Sequence, residues 1–377
     1  MSSKVVAEAI DLSNNKLEGH FPRSWRIAAG KITQLYVQNN PGLDGCVPLS
    51  TGISVGPGLS NWIAGSNYCG GSWAGVTCEG LSAVTGLNLT ALTVSVQPPA
   101  TLPLLDVVAA ISNLTQLQTL VLANIGLSGA VQDPSWPGLE SFTKLHHLDI
   151  SGNPALTGDL PSSWFAMRAL TTLDISATGI GGTLPEKFAA FQELREFRAV
   201  DCPGITGILP PAWGLLQLER LRVLDLSVAA PGTGGLSGAL PAAFAQLGQL
   251  QMLVLSGHNF NESLPPAWTR LKQLRVLDVS RNSLTGSLPE WYASMLQLAV
   301  LKVHDNQLVP AANGTPEFFE YLVGDGLKLQ CLCVANNSGV LLDAAKAAEL
   351  KRRAQASSPP AQLVVDDAAD RLCDVHG

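Results

Sequence analysis

An α/β solenoid, with a parallel sheet on one face and irregular or 3-10 structure behind it, is the fold class that the sequence predicts. Three observations predict it. The dipeptide Leu-Pro recurs at Leu160, Leu184, Leu209, Leu240, Leu264 and Leu288, in steps of 24, 25, 31, 24 and 24 residues. Each period holds a short run that alternates apolar and polar residues, as at Leu173 and Ile175, followed by irregular return structure beginning at a Leu-Pro such as Leu184-Pro185. An amide also recurs at one place in the period, as Asn15, Asn40, Asn153, Asn282, Asn306 and Asn337.

A period of this length built on leucines is that of a leucine-rich repeat. One copy cannot bury its apolar side alone, so the copies stack over one continuous core and the strands line the concave face of a horseshoe. The recurrent Asn turns inward, where its side chain satisfies backbone groups that would otherwise be buried unpaired. Thr178, Cys202 and His258 replace it with groups that still hydrogen-bond, whereas Ile125 and Ala229 cannot, so looser turns are expected there. Ala229 precedes "APGTGG", an insertion that accounts for the 31-residue step and predicts a protruding loop.

Taken in order, residues 1–50 read as the last coils of a preceding array, 51–83 as a linker and cap, 84–340 as the main array, and 341–377 as a C-terminal helix and tail. The first segment holds "AIDLSNNKLEGHFPRSW" and "LYVQNNPGLDGCVP", two repeats in a different register from the array that starts at Val84. The run "LLDAAKAAELKRRAQ" reads as a helix whose basic residues Lys351 to Arg353 complement its carbonyl end.

The pattern in "LTGSLPEW", from Leu284, resembles the plant-type class of leucine-rich repeats over nearly the whole chain. Trp62, Cys69 and "WAGVTC" look like the N-terminal cap of that class, which implies a Cys69–Cys78 disulfide over the apolar end of the first coil. Closing so short a loop would stabilise by roughly 2.5 kcal/mol in the chain-entropy model. Within the class, "MRALTTLDISATGIGGTLP", Thr178, the recurrent "LPxxW" at Trp164, Trp213 and Trp268, and "GCVP" resemble the leucine-rich surface antigens of kinetoplastid parasites. Those are secreted or lipid-anchored and implicated in attachment to host cells, but this chain carries no Thr-rich stalk and no hydrophobic C-terminal anchor signal.

Composition bounds the function. The 377 residues are 46% hydrophobic and 14% charged, with 36 Gly and 24 Pro, enough for a core and too punctuated for long helices. A net charge of -7 without a dense basic stripe argues against a nucleic-acid surface. No run of 18 apolar residues occurs, and the first thirty residues lack an apolar signal segment. Sequons at Asn88, Asn113, Asn261, Asn313 and Asn336 pull the other way, toward export and glycosylation, and a start upstream of Met1 would reconcile the two.

Nothing assembles a reaction centre, and no cofactor is expected. Gly232, Gly234 and Gly235 lack the Lys-Ser/Thr of a phosphate loop, and Ser237 stands where a third dinucleotide-binding glycine would. Cys331 and Cys333 share one face of a strand. With Cys373 and His376 they offer either a zinc site or a disulfide that ties down the tail, while Cys202 is the natural buried thiol and Cys46 is left over.

What remains is the displayed sheet. Between the core residues one column reads Asp149, Asp174, Arg198, Asp225, Val254, Asp278 and Lys302, and the next reads Ser151, Ser176, Val200, Ser227, Ser256, Ser280 and His304. The expectation is a non-catalytic recognition or adhesion module, extracellular or at the cell surface. It would take a protein or glycan partner through His147, Asp149, Asp174, Arg198, Asp225, Asp278, Lys302 and His304, a mostly acidic face suited to a basic ligand. Inhibition of a secreted enzyme, as in plant polygalacturonase inhibitors that share the repeat type, and an intracellular scaffold are the competing readings.

Overall fold

The computed structural model describes residues 102–132 (without 112, 113 and 115), 138–215, 218–229, 235–287, 295–309 and 331–338. To these it adds isolated elements at 10–11, 18–20, 35–36, 42–44, 76–79, 83–88, 348–349, 352 and 362–364. The insertion at 230–234 lies outside them, as do Cys69, Cys373 and the linker. Two compact units divide the chain, Met1–Ile180 and Gly181–Gly377.

In the first unit the inner strands Val76–Glu79, Ala83–Asn88, Thr119–Val121, His147–Asp149 and Thr172–Asp174 lie side by side in chain order. The first two form an antiparallel hairpin and the rest pair in parallel. Earlier in the chain Ile10–Asp11 pairs in parallel with Leu35–Tyr36, and Glu18–His20 with Gly42–Asp44, each one repeat period apart. The second unit continues the grammar with Glu196–Arg198, Val223–Asp225, Met252–Val254, Val276–Asp278, Val300–Lys302, Cys331–Cys333 and Gln362–Val364, again parallel and in chain order.

Among the described residues several coils return through a short 3-10 turn, such as Glu186–Ala190, Ala242–Gln246 and Pro266–Arg270, while Leu104–Ile111 and Ala212–Leu215 return as short α-helices. Proline ends the strand side of each, because the residue before the turn is held extended while its ring starts the bend. The core of one coil consists of Leu250, Leu253, Leu255, Phe260, Leu264 and Trp268, all at most 1% exposed. The predicted alternation is therefore observed: every second strand residue and the Leu-Pro leucine point inward.

Two of the three "LPxxW" tryptophans, Trp213 and Trp268, are coil-to-coil ties. Trp164, Trp213 and Trp268 are fully buried. Trp213 Nε1 donates to Pro185 O at 3.0 Å and Trp268 Nε1 to Pro241 O at 2.9 Å, each reaching back one coil. At Trp213 and Trp268 a bulky ring fills the convex core while its one donor is satisfied by a neighbouring carbonyl, whereas the buried Trp164 Nε1 has no hydrogen-bond partner among the described residues.

On the other side of the core the amide column works as expected. Asn153 Oδ1 accepts from Ile125 N at 3.2 Å and Leu127 N at 2.9 Å, and its Nδ2 donates to Leu122 O, Ile150 O and Ser151 O. Asn282, Asn306 and Asn337 repeat the arrangement against Phe260 N, Leu284 N and Leu308 N. Thr178 and Cys202 hydrogen-bond within their own turns, to Ile175 O at 2.7 Å and Val200 O at 3.8 Å. His258 spans two coils as an Asn does: Nδ1 accepts from Leu236 N at 3.2 Å and Nε2 meets Leu226 O at 2.6 Å.

The residue before this position is left-handed in coil after coil, at Asn124, Gly152, Ala177, Asp201, Gly257, Arg281, Asp305 and Asn336. Val228, which precedes Ala229 and the insertion, is not among them. There Asp201 Oδ1 accepts from Ala229 N at 2.7 Å, so an exposed carboxylate from the preceding coil holds a turn that lacks its own amide.

Two predictions follow from this ladder. Asn153→Ala orphans buried donors and acceptors on two coils and should lower unfolding free energy by about 3 kcal/mol, against about 1 kcal/mol for Thr178→Val, in urea titrations. Burial pushes the His258 imidazole below its ordinary pKa of 6.5, with donation to Leu226 O pulling weakly the other way. The unfolded chain then binds the proton more readily than the folded one. Stability from His258 is therefore complete above about pH 6.5 and is lost as pH falls toward the folded value. His258→Asn should flatten that part of the slope in melts between about pH 7.5 and pH 5.

Candidate recognition face

Parallel strands in register place equivalent side chains in columns about 4.8 Å apart. In the first unit Asp149 stands between Val121 and Asp174, and His147 between Thr119 and Thr172. His147, Asp149 and Asp174 are half-exposed on the face opposite the leucines. Asp149 Oδ1 accepts from Ser151 N at 3.0 Å and Ser151 Oγ at 2.6 Å, and Asp174 from Ser176 N at 2.9 Å. Each Asp-Xaa-Ser therefore braces its own strand end as the chain leaves the sheet, leaving the second carboxylate oxygen for other contacts.

The same motif in the second unit behaves differently. Asp225 is 1% exposed and Asp278 5%, with Ser227 and Ser280 buried beside them. The expectation of a displayed row of carboxylates is corrected at these two positions, and at His304, which is 4% exposed. The chemistry explains how carboxylates tolerate this. Asp225 accepts from Ser227 N and Oγ at 3.1 and 2.7 Å, and lies in register between Arg198 and Val254. Asp278 accepts from Ser280 N and Oγ at 3.0 and 2.5 Å, and Lys302 Nζ stands 3.8 Å from its Oδ2. Hydrogen bonds and a cation replace the lost water, so these acids brace the sheet.

Arg198 is half-exposed and paired to Glu196, while Lys302 is turned toward Asp278. Beside the sheet of the second unit, exposed charges recur one residue before three of the strands, at Arg195, Arg222 and Arg275. Sequence reasoning missed them because it read the columns inside the strand and stopped at its edge. The signal was present in "LREF", "LRVLD" and "LRVLD", where one arginine repeats at a fixed place in the coil.

Among the described residues no group of three or more His, Cys, Asp and Glu is placed to hold a metal ion. Cys331 and Cys333 do share a face, with their sulfurs 3.9 Å apart, but Cys331 is disulfide-bonded, which removes it from a zinc set and leaves the disulfide reading; Cys373 and His376 lie outside the described residues. Of the sequons, Asn88, Asn261 and Asn336 are exposed, and Asn113 and Asn313 lie outside the described residues. Among the described residues no helix is long and apolar enough to cross a membrane.

A family model described as Leucine Rich Repeat matches residues 273–295. No curated protein matches the sequence. Among solved structures the chain is similar to the leucine-rich-repeat ectodomain of the receptor kinase GASSHO1/SCHENGEN3 from Arabidopsis thaliana, in complex with CASPARIAN STRIP INTEGRITY FACTOR 2. Identity is 28% and TM-score 0.59, over 75% of this chain and 31% of that one. It is also similar in fold to the Arabidopsis receptor kinase HAESA in complex with the peptide hormone IDA and the co-receptor SERK1, at 24% identity and TM-score 0.59, over 75% and 47% of the two chains. A plant ice-binding protein shares the fold at 20% identity and TM-score 0.51, over 77% and 93%. The chain thus spans less than half the length of the two receptor ectodomains.

If Asp225 and Asp278 are structural, replacing either by Ala should lower stability by about 1–3 kcal/mol, whereas Asp149→Ala should cost less than about 1 kcal/mol, measured by urea unfolding. With stacked coils, a buried amide column and one repeat matched at residues 273–295, the chain folds as a leucine-rich-repeat solenoid.

Proposed function

We propose that the chain is a non-catalytic recognition module, working outside the cell or at its surface, that takes a protein or glycan ligand on the exposed face of its inner strands. One observation carries this reading. The core needs only alternate strand residues, so the repeat leaves half-exposed polar side chains in register on an open sheet face: His147, Asp149 and Asp174 in the first unit, Arg198 in the second. Such a face fixes positions without assembling a nucleophile, base or metal, and it calls for no cofactor. The solved ectodomain that is 28% identical is named in complex with CASPARIAN STRIP INTEGRITY FACTOR 2, which supports a binding role here.

Two further facts favour the extracellular setting. Cys78 is disulfide-bonded, which fits a cap closed to Cys69, and such bonds persist in oxidising compartments. Asn88, Asn261 and Asn336 are exposed and open to glycosylation in natively sourced protein.

A peptide and glycan array probed with the whole chain tests the reading. Ligands bound by the wild type should be weakened at least about tenfold by the double variant Asp149→Asn/Asp174→Asn, the loss expected from removing two charges at a partly screened face. The convex-side variant Glu186→Gln should leave them unchanged. Equal binding by the double variant, with circular dichroism unchanged, would overturn the assignment of this face.

A further inference from the structure

Three exposed arginines of the second unit belong to a ladder. Arg222 N donates to Arg195 O at 2.7 Å, Gln251 N to Arg222 O at 2.8 Å, and Arg275 N to Gln251 O at 2.8 Å, so these four residues sit on consecutive coils. Arg195, Arg222 and Arg275 are all exposed, and none has an ion-pair partner among the described residues. The nearby acids are already engaged: Glu196 with Arg198 and Glu193 with Arg220. Glu219 is exposed and is the remaining described acid of that segment. In the first unit the equivalent places hold Gln118, His146 and Thr171, so the basic row belongs to the second unit alone.

Beside the ladder, one residue further along each strand, runs an apolar stripe. Val223, Met252, Val276 and Val300 are adjacent in register and half-buried on the same sheet face. Three cations and four apolar side chains in parallel rows ask for a ligand with the complementary pair of rows. A polysaccharide would use the charges and leave the aliphatic row idle, whereas an amphipathic polypeptide uses both. The spacing narrows the choice. Facing side chains on an extended strand repeat at about 6.8 Å, out of step with coils about 4.8 Å apart, while a helix advances about 5.4 Å per turn. One helical turn then meets roughly one coil.

Resting on the recognition role proposed above, we infer that the second unit docks an acidic amphipathic helix of a partner protein, its apolar stripe on Val223, Met252, Val276 and Val300 and its carboxylates on Arg195, Arg222 and Arg275. The sign is opposite to the basic ligand expected from the row of aspartates. The row covers about 14 Å from Val223 to Val300, so about three helical turns suffice.

The test uses a fluorescent synthetic helix of about 14 residues, with leucines at a 3.6-residue period flanked by glutamates, and its lysine counterpart. Anisotropy titrations of the whole chain should show preference for the acidic helix and weakening as salt rises from about 50 mM to 500 mM. Arg195→Glu/Arg222→Glu/Arg275→Glu should weaken it at least about tenfold, as should Met252→Ser/Val276→Ser, while Arg168→Gln in the first unit should not. Circular dichroism and the milder Arg→Gln triple separate lost binding from lost fold. The idea is overturned if a folded triple variant binds the acidic helix like wild type, or if wild type prefers the lysine helix. Because the array experiment rests on Asp149 and Asp174 of the other unit, the two readings fail separately.

Discussion

The fold depends on keeping every polar backbone group satisfied where a coil bends away from its strand. At that bend the chain turns left-handed and its next residue points into the core, so amides and carbonyls of two successive coils face an interior without water. One Asn side chain can donate two hydrogen bonds or more in bifurcated form and accept two, and Asn153 does so toward five backbone groups. An orphaned group there costs about 1–3 kcal/mol, and a row of orphans would exceed the stability of an ordinary domain. The amide column is therefore the condition for stacking, and the leucines fill the space that stacking creates. His258 shows that geometry matters more than residue identity: an imidazole reaches the same two coils, provided that it stays neutral.

Stacking in register has a second consequence for function. Because each coil repeats its neighbour about 4.8 Å away, any residue at a fixed place in the repeat becomes a column, whether or not its surroundings match. The Asp-Xaa-Ser motif makes the same local bracket at Asp149, Asp225 and Asp278, yet Asp149 keeps contact with water and the other two do not. A repeated motif thus fixes local bonding and leaves exposure to the neighbours. Arg195, Arg222 and Arg275 show the other outcome, a repeated place just before the strand that stays exposed in each of its coils.

This explains which features the sequence made legible. Strand positions, inward leucines, the amide column and the buried tryptophans follow from period and polarity, because a one-dimensional stack enforces the same solution in each coil. Exposure within the polar columns does not follow from period, and so Asp225, Asp278 and His304 were misjudged as surface groups. Pairing energies were equally hidden: no pattern announces that Lys302 turns toward Asp278. The arginine row was visible as a repeated letter, but its meaning needed the backbone bonds that put Arg195 and Arg222 on adjacent coils.

The two sides of the core also complement each other. In the second unit Cys202 and Ala229 put a thiol and a methyl at the amide's place in the coil. Across the core from these turns aromatic rings pack against one another. Phe188 lies edge-on to Phe191 and Phe197 at 5.0 and 6.1 Å and stacks on Trp213 at 6.4 Å, and Phe197 meets Trp213 at 5.9 Å. Each such pair adds about 0.5–1.5 kcal/mol beyond the area it buries, so the cluster together is comparable to the roughly 3 kcal/mol expected from the loss of one column amide. Where Asn282, Asn306 and Asn337 restore the column, no aromatic cluster of that kind is found among the described residues. Coil-to-coil cohesion in an array is a nearest-neighbour property, so the deficit has to be met within the same coils. The Phe188–Phe197–Trp213 cluster is placed to do that, and the insertion after Ala229 interrupts the repeat at coils whose attachment has already moved to the convex side.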